Sequence, residues 1–345
     1  MILLTFTVLV TSAMTGTLKV KWKRLTVMAA TTAVPLTVSV FALRGWLAHS
    51  LSESPNTAAT IGRMHLLRHE ADAVVYRATT PELRRNTTTI SSLERIRRQG
   101  ILRVGYHQDS LPYAFFNKQD QLVGLDIDLV YLLAEEVDCQ LEFVPFEWAT
   151  LDSQLEEGQF DFAVSGIAIT TPGLARIRFT ESYLDVTWAL IVPDHRRGEF
   201  LTIESIAQMD DLRIGVFPDS YFRKKLQAAF PQAEVVDVAS PREFFEARGP
   251  SVDVLLYDAE GGSAWTLLHP EFQVVVPKPS AVRQPLAFAV ARSNEEFSQF
   301  LSQWIVLKKH GGDIDELFNY WILGRGAQSQ RPRWSVIRDV LHWVE

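Results

Sequence analysis

Residues 101–137 constrain the fold more than any other stretch of the chain. They begin with a short β-type run that ends in Gly105 and continue through a loop that carries Pro112 and three aromatic residues. A turn and a short extended piece follow. Asp126, a candidate helix N-cap, then precedes apolar residues at helical spacing. This order of strand, aromatic loop, hairpin tip and capped helix predicts the ligand-side rim of an α/β sheet.

The same alternation of strands and helices recurs along the rest of the chain. Apolar strands are predicted at residues 160–164 and 188–192, and the pattern begins again with a strand at residues 212–217. A charged, glycine-containing segment (194–199) and a proline-rich segment (277–285) are predicted to cross between two lobes. Short connections between strands and helices favour largely parallel sheets covered by helices. The residues therefore predict two α/β lobes.

Composition excludes several kinds of site. The formal net charge of -7 argues against nucleic acid as a partner. The single cysteine, Cys139, rules out an intrachain disulfide and a metal site built on thiolates. The 8 histidines show no ligand spacing, and the sequence has no glycine-rich loop followed by lysine to hold a phosphate. We therefore expect neither a metal nor a cofactor.

Two apolar runs near the N-terminus, residues 1–18 and 25–43, are each close to the length that spans a bilayer. Four cations lie between them in residues 19–24, and the positive-inside rule places such a segment in the cytoplasm. We interpret residues 1–45 as a membrane anchor of two transmembrane helices, which leaves the following chain outside the cytoplasmic membrane. A signal peptide formed by residues 19–43 and a buried hydrophobic hairpin are the alternatives.

From residue 93 onward the motifs occur in the order of a known family. Residues 93–323 resemble the family 3 extracellular solute-binding proteins, the polar-amino-acid type of periplasmic binding protein. The resemblance implies a type II periplasmic binding protein fold, with lobe 1 at about 93–192 and 286–323, lobe 2 at about 193–285, and two crossing strands between them. Residues 46–92 are then a linker and residues 324–345 a tail. The segments that carry the resemblance are LRVGYHQDSLPYAFF, LVGLDIDL, FEWATLDSQLEEGQFDFAVSGIAIT, FTESYLD, LRIGVFPDS, VDVLLYD and LKKHGGDIDELFNYWI.

The resemblance also implies a ligand site in the cleft between the lobes. Tyr113 stands where the family has an aromatic ring over the ligand, and Asp258 where it has the acid that pairs with the ligand's ammonium group. Ser165 and Gly166 stand where backbone groups meet a ligand carboxylate. The full set of predicted ligand-binding residues is Tyr113, Ser165, Gly166, Thr170, Arg176, Ser220 and Asp258.

Two positions depart from the family pattern. The arginine that forks onto a ligand carboxylate is replaced by Gly173, and glycine cannot substitute for a planar guanidinium. In lobe 2 the anion-holding loop carries Asp219, whose carboxylate would repel another carboxylate. Either Arg176 or Arg178 reaches the site from the next turn, or the ligand is not a standard α-amino acid.

We therefore expect a binding protein and not an enzyme. It would capture a small polar solute, an amino acid or a related carboxylate or amine, for transport. It would be tethered to the inner membrane with its binding domain in the periplasm, next to a transporter permease. The alternatives are a ligand-sensing domain, a remnant of a transporter fusion, or a dehydratase on the same fold that recruits His107, Asp109 and Asp258 as acid and base.

Overall fold

The computed structural model describes residues 61–68, 71–78, 91–217, 220–246, 251–279 and 282–325, with the backbone alone for residues 220 and 221. The predicted membrane anchor and all but the first two residues of the predicted tail lie outside these ranges, as does Asp219. Within these ranges, none of the helices combines the length and the apolar character needed to cross a bilayer.

The elements are numbered here in chain order. The strands are β1 Ala73–Val75, β2 Ile101–Tyr106, β3 Asp109–Ser110, β4 Ala114–Phe116, β5 Leu122–Val123, β6 Gln140–Pro145, β7 Phe162–Ala163, β8 Arg178–Phe179, β9 Leu184–Pro193, β10 Arg213–Val216, β11 Glu234–Asp237, β12 Val254–Asp258, β13 Phe272–Val275, β14 Arg283–Leu286 and β15 Ala289–Val290. The helices are α1 Ser92–Gln99, α2 Leu125–Glu136, α3 Leu151–Glu156, α4 Thr171–Arg176, α5 Ile203–Ala207, α6 Ser220–Ala229, α7 Pro241–Phe245, α8 Ala259–Leu268, α9 Glu295–Gly311 and α10 Asp313–Trp321.

Lobe 1 is built on a sheet of strand order β1-β6-β2-β7-β15-β8. The pairs β1/β6, β6/β2 and β2/β7 are parallel, whereas β15 runs antiparallel to both of its neighbours. Helix α2 supplies much of the core, since Leu125, Ile127 and Leu129 have 0% exposure. The small sheet β3-β4-β5 carries the aromatic loop of residues 101–137. The predicted α/β rim is therefore present.

Lobe 2 is built on the sheet β11-β10-β12-β9-β13, and the connection to lobe 1 is made by β9 and β14. The first half of β9 pairs antiparallel with β14, and its second half pairs with β12 and β13. The two crossing strands are thus present, but the first precedes the predicted segment 194–199, which forms a 3-10 turn at Asp194–Phe200. The charged residues of this segment lie at the solvent-facing end of the long apolar strand β9 and do not form the crossing.

Two parts of the predicted linker, residues 61–68 and 71–78, are built into lobe 1. Strand β1 extends the sheet beside β6, and the backbone N–H groups of Leu67 and Arg68 donate to the carboxylate of Asp128 at 3.2 and 3.0 Å. Asp128 has 0% exposure and also accepts from the Trp321 indole at 2.6 Å. The spacer interpretation is wrong for this segment, because a buried carboxylate from α2 satisfies its backbone donors.

We expect Trp321→Phe to lower the free energy of unfolding by about 1–3 kcal/mol, because the buried Asp128 carboxylate loses a donor. Trp304→Phe is the matched control, since the Trp304 indole donates to Glu136 at 2.7 Å and that acceptor's side chain is 38% exposed. Water replaces the lost donor there. Urea unfolding should show the larger loss for Trp321→Phe, and equal losses would contradict the role of Asp128.

Candidate functional site

A cavity of about 470 Å³ lies between the two lobes. Its size is typical of a small-molecule site. The two crossing strands and both lobes contribute to its wall, and most of the side chains that line it are aromatic or aliphatic. Its aromatic residues are His107, Tyr113, Trp148, Phe179, Trp188, Phe217, Phe222 and Tyr257.

Tyr113 and Asp258 meet across this cavity. The Tyr113 hydroxyl, from the aromatic loop of lobe 1, donates to Asp258 Oδ1 at 2.8 Å. Asp258 is the last residue of β12 and also caps helix α8, because the Gly261 N–H donates to the same oxygen at 2.5 Å. Its second oxygen, Oδ2, takes part in neither bond. The acid therefore serves as a helix cap and still presents an oxygen at the cleft.

Gly166 fixes the position of the Tyr113 ring. It has φ of +69°, and a Cβ at this position would lie 2.5 Å from the Tyr113 ring. Only glycine combines this backbone conformation with such a close approach. A side chain at residue 166 would push the ring away from Asp258, so Gly166 shapes the cavity by leaving space for the ring.

The backbone N–H groups of Ser165 and Gly166 donate to Asp126 Oδ2, at 2.7 and 2.8 Å. Asp126 is fully buried on α2, and Ser165 has the unusual φ of +112°. The spacing predicted Asp126 as an N-cap, and the family resemblance implied that these two amides meet a ligand carboxylate. The cap interpretation is wrong because the helix begins at Leu125 and the Asp126 side chain reaches the neighbouring loop. The carboxylate holds a strained loop in place.

Burial raises the pKa of two acids at the site. It raises the pKa of Asp126 to about 6, against the opposing hydrogen bonds from Gly166 and Ser165. It also raises the pKa of Asp258 to about 6, against the hydrogen bonds from Gly261 and Tyr113. Near neutral pH both groups are mostly carboxylates that ionise less readily than exposed aspartates.

Gly173 occupies the position of the missing arginine, and the structure leaves little space there. A Cβ would lie 2.9 Å from the Thr170 hydroxyl and 3.0 Å from the Phe179 ring. The Thr170 hydroxyl accepts from the Gly173 N–H at 3.1 Å and so caps helix α4. Thr170 lines the cavity, but its oxygen is already engaged in this cap.

Neither arginine proposed as a replacement reaches the centre of the site. Arg176 lines the cavity with a 63% exposed side chain, and it lies 3.7 Å from Asp152. Arg178 pairs with Glu295 at 3.0 Å on the surface of lobe 1. Ser220 begins helix α6, and its side chain lies outside the described residues. The remaining predicted site residues, Tyr113, Ser165, Gly166, Thr170 and Asp258, line one cavity.

A second contact joins the lobes at the rim of the cavity. The Arg242 guanidinium, on α7 of lobe 2, reaches Asp109 Oδ1 of lobe 1 with two nitrogens, each at 2.9 Å. The Asp109 side chain is 16% exposed and that of Arg242 53% exposed. Together with the Tyr113–Asp258 bond, this ion pair joins the two lobes across the cleft and stabilises the closed form.

We expect Arg242→Gln to shift the protein toward an open form by about 0.5–1 kcal/mol, the usual contribution of a partly exposed ion pair. Small-angle scattering should then show a larger radius of gyration. Arg196→Gln is the control, because Arg196 also forms ion pairs, with Glu199 and Asp253, but both of these acids lie in lobe 2. An equal change in both variants would contradict an interlobe role for Arg242.

Sequence reasoning missed three contributors to the site. Arg242 and Trp188 gave no local signal, because neither belongs to a motif and only the tertiary fold brings them to the cleft. The Trp188 indole N–H is buried and has no hydrogen-bond partner among the residues that the structure describes. Asp126 was noticed, but its spacing fitted a helix cap equally well.

Comparison with known proteins agrees with this architecture. Cyclohexadienyl dehydratase of Pseudomonas aeruginosa is 27% identical over 237 residues, which cover 67% of this chain and 86% of that protein. ABC transporter arginine-binding protein 1 of Escherichia coli is 22% identical over 214 residues, which cover 61% of this chain and 86% of that one. The crystal structure of the ancestral amino acid-binding protein AncCDT-1, a precursor of cyclohexadienyl dehydratase, superposes with a TM-score of 0.60 at 26% identity and covers 67% of this chain and 100% of that one.

The fold is that of a type II periplasmic binding protein, with two α/β lobes joined by two crossing strands. Residues 102–324 match the family described as bacterial extracellular solute-binding proteins, family 3. This match covers most of the chain and includes both lobes and the cavity between them. The chain therefore belongs to the family 3 extracellular solute-binding proteins.

Proposed function

We propose that the protein captures a small amine-bearing solute between its two lobes, outside the cytoplasmic membrane, for transport. The observation that carries this proposal is the meeting of Tyr113 and Asp258 across the cavity. A carboxylate beside an aromatic ring can hold an ammonium group by charge and by cation–π attraction. The arginine-binding relative supports capture of a nitrogen-bearing solute.

Closure of the cleft would be the working step. Asp258 belongs to lobe 2 and Tyr113 to lobe 1, so a ligand that touches both residues favours the closed form by its differential affinity. The loop of Ser165 and Gly166 is joined to the returning crossing strand, because the Ile169 N–H donates to the Pro285 carbonyl at 2.9 Å. Contacts at the loop are thereby linked to the hinge.

Tethering to the inner membrane and delivery to a permease belong to the same proposal. They are supported by the apolar runs at residues 1–18 and 25–43 and by the cations between them. Cell fractionation tests the tether. Recovery of the chain in the soluble periplasmic fraction would contradict it without affecting the binding proposal.

Calorimetry of the full chain in detergent, titrated with amino acids, dicarboxylates and amines, tests capture. We expect at least one amine-bearing compound to bind. Small-angle scattering with the same compound should show a smaller radius of gyration, with a midpoint at the same ligand concentration. If a folded sample bound none of these compounds, capture for transport would be excluded.

A dehydratase is the second candidate, because a cyclohexadienyl dehydratase is among the relatives and His107 lines the same cavity as Asp258. Burial lowers the pKa of His107, although Asp109 and Glu147 oppose this shift. His107 is therefore neutral near pH 7 and can accept a proton, whereas Asp258, with a pKa of about 6, is mostly protonated and able to donate one only below that pH. Turnover of prephenate or arogenate by the purified protein would establish this activity, and its absence would leave capture as the function.

A further inference from the structure

Three backbone N–H groups at the cavity wall already have partners within the protein. The N–H groups of Ser165 and Gly166 point to the Asp126 carboxylate, and the Gly173 N–H points to the Thr170 hydroxyl. A ligand carboxylate at the first two amides would approach the buried Asp126 oxygen and be repelled by it. The loop that faces the cavity therefore disfavours a carboxylate.

The charges around the cavity also disfavour an anionic ligand. Among the described residues that line it, Asp109, Asp152 and Asp258 carry carboxylates, whereas Arg176 alone carries a guanidinium. That guanidinium is mostly exposed and lies near Asp152. Asp109 is balanced by Arg242, but Asp258 has only neutral donors, the Tyr113 hydroxyl and the Gly261 N–H. The local field at Asp258 therefore favours a cation.

Aromatic rings form a large part of the rest of the wall, beside aliphatic side chains. The Trp188 and Phe222 rings lie 4.0 Å apart at 41°, and the Phe217 and Tyr257 rings meet edge to face at 5.4 Å. Such rings bury a flat apolar body well, and their faces attract a cation. The Trp188 N–H adds a single neutral donor, which does not replace a bidentate guanidinium.

We infer that the cleft takes an organic cation of the arylalkylamine class, with an aromatic body, an ammonium group at Asp258 and no carboxylate. This inference deepens the proposed function and depends on it. It separates the ligand from standard α-amino acids, whose carboxylate finds no free partner on the loop. The aromatic wall accounts for the body of the ligand and Asp258 for its charge.

Matched ligands test this inference on the full chain. Tyramine and L-tyrosine differ by one carboxylate, and 3-(4-hydroxyphenyl)propanoate keeps the carboxylate without the amine. We expect calorimetry to show tyramine binding about tenfold or more tighter than tyrosine, and no measurable binding of the propanoate. Tighter binding of tyrosine would overturn the inference and leave the proposed capture of an amine-bearing solute intact. If none of the three bound while another amino acid did, the inference would also be overturned. If no amine-bearing compound bound at all, the inference and the proposed function would both be overturned.

Asp258→Asn identifies the acid that holds the ammonium group. We expect this variant to bind tyramine about thirtyfold or more weakly, because it loses the charge and keeps the shape. Asp210→Asn, an equal change at an exposed residue of lobe 2, should bind tyramine as the unmodified protein does. A circular dichroism melt shows whether the Asp258→Asn variant is folded. Unchanged tyramine affinity in a folded Asp258→Asn variant would overturn the assignment.

Discussion

Replacing Asp126 with alanine is expected to lower the free energy of unfolding by about 3–5 kcal/mol. The reason is that the Asp126 carboxylate accepts hydrogen bonds from two backbone N–H groups, those of Ser165 and Gly166. Without the carboxylate, both donors lose their partner, and the loop with Ser165 at φ +112° loses its support. The loss should also disorder the cavity wall.

Asp126→Asn is the matched comparison, because the amide oxygen can still accept from the loop. We expect it to lose less stability than Asp126→Ala, since its shape and one acceptor remain and no charge is buried. Urea denaturation of both variants gives the two free energies. Equal and small losses would show that the loop holds its conformation without this side chain.

Amine binding is expected to weaken about tenfold from about pH 7.5 to about pH 5, because Asp258 takes up a proton over this range. Burial raises the pKa of Asp258 to about 6, so the free protein holds a neutral acid below that pH, while a bound ammonium favours the carboxylate. The titratable groups that face Asp258 are Tyr113, Tyr183, Tyr257 and Glu260. The three tyrosines keep their protons throughout this range, and the Asp258→Asn variant isolates the contribution of Asp258 to the slope.

Calorimetry with tyramine across this pH range gives the measurement. Asp258→Asn should abolish the pH dependence, because the amide does not titrate. Tyramine keeps its charge between these values, so a change in the ligand cannot account for the result. Affinity that stayed constant, or that rose toward acid, would contradict a carboxylate at the binding centre.

Much of the fold could be predicted from the sequence. The motif order from residue 101 onward indicated two α/β lobes, because strands and capped helices leave clear periodic patterns. The first crossing was predicted at residues 194–199, directly after β9, because the charged residues there resembled a connection between lobes. The crossing is made by β9 itself. Residues 61–68 and 71–78 fell within the predicted linker, because the backbone N–H groups of Leu67 and Arg68 that donate to Asp128 leave no pattern in the sequence.

The site was predictable only in part. Tyr113 and Asp258 were predicted from their positions in the motif order of the family. The structure places the Tyr113 hydroxyl 2.8 Å from Asp258 Oδ1. The role of Asp126 could not be deduced from spacing, because its partners lie 39 and 40 residues away and are backbone groups. Arg242 likewise reaches Asp109 over 133 residues. Contacts of this kind depend on tertiary packing and leave no periodic trace in the chain.

The attachment of the segment 61–68 and of helix α10 has a practical consequence. Both attach to lobe 1, since α10 packs on α2 and the segment bonds to Asp128 of α2. Within the described residues, lobe 2 is therefore an insertion into lobe 1 that is joined to it by two strands. A dye on helix α10 and a second dye on lobe 2 would therefore report closure of the cleft as a change in energy transfer.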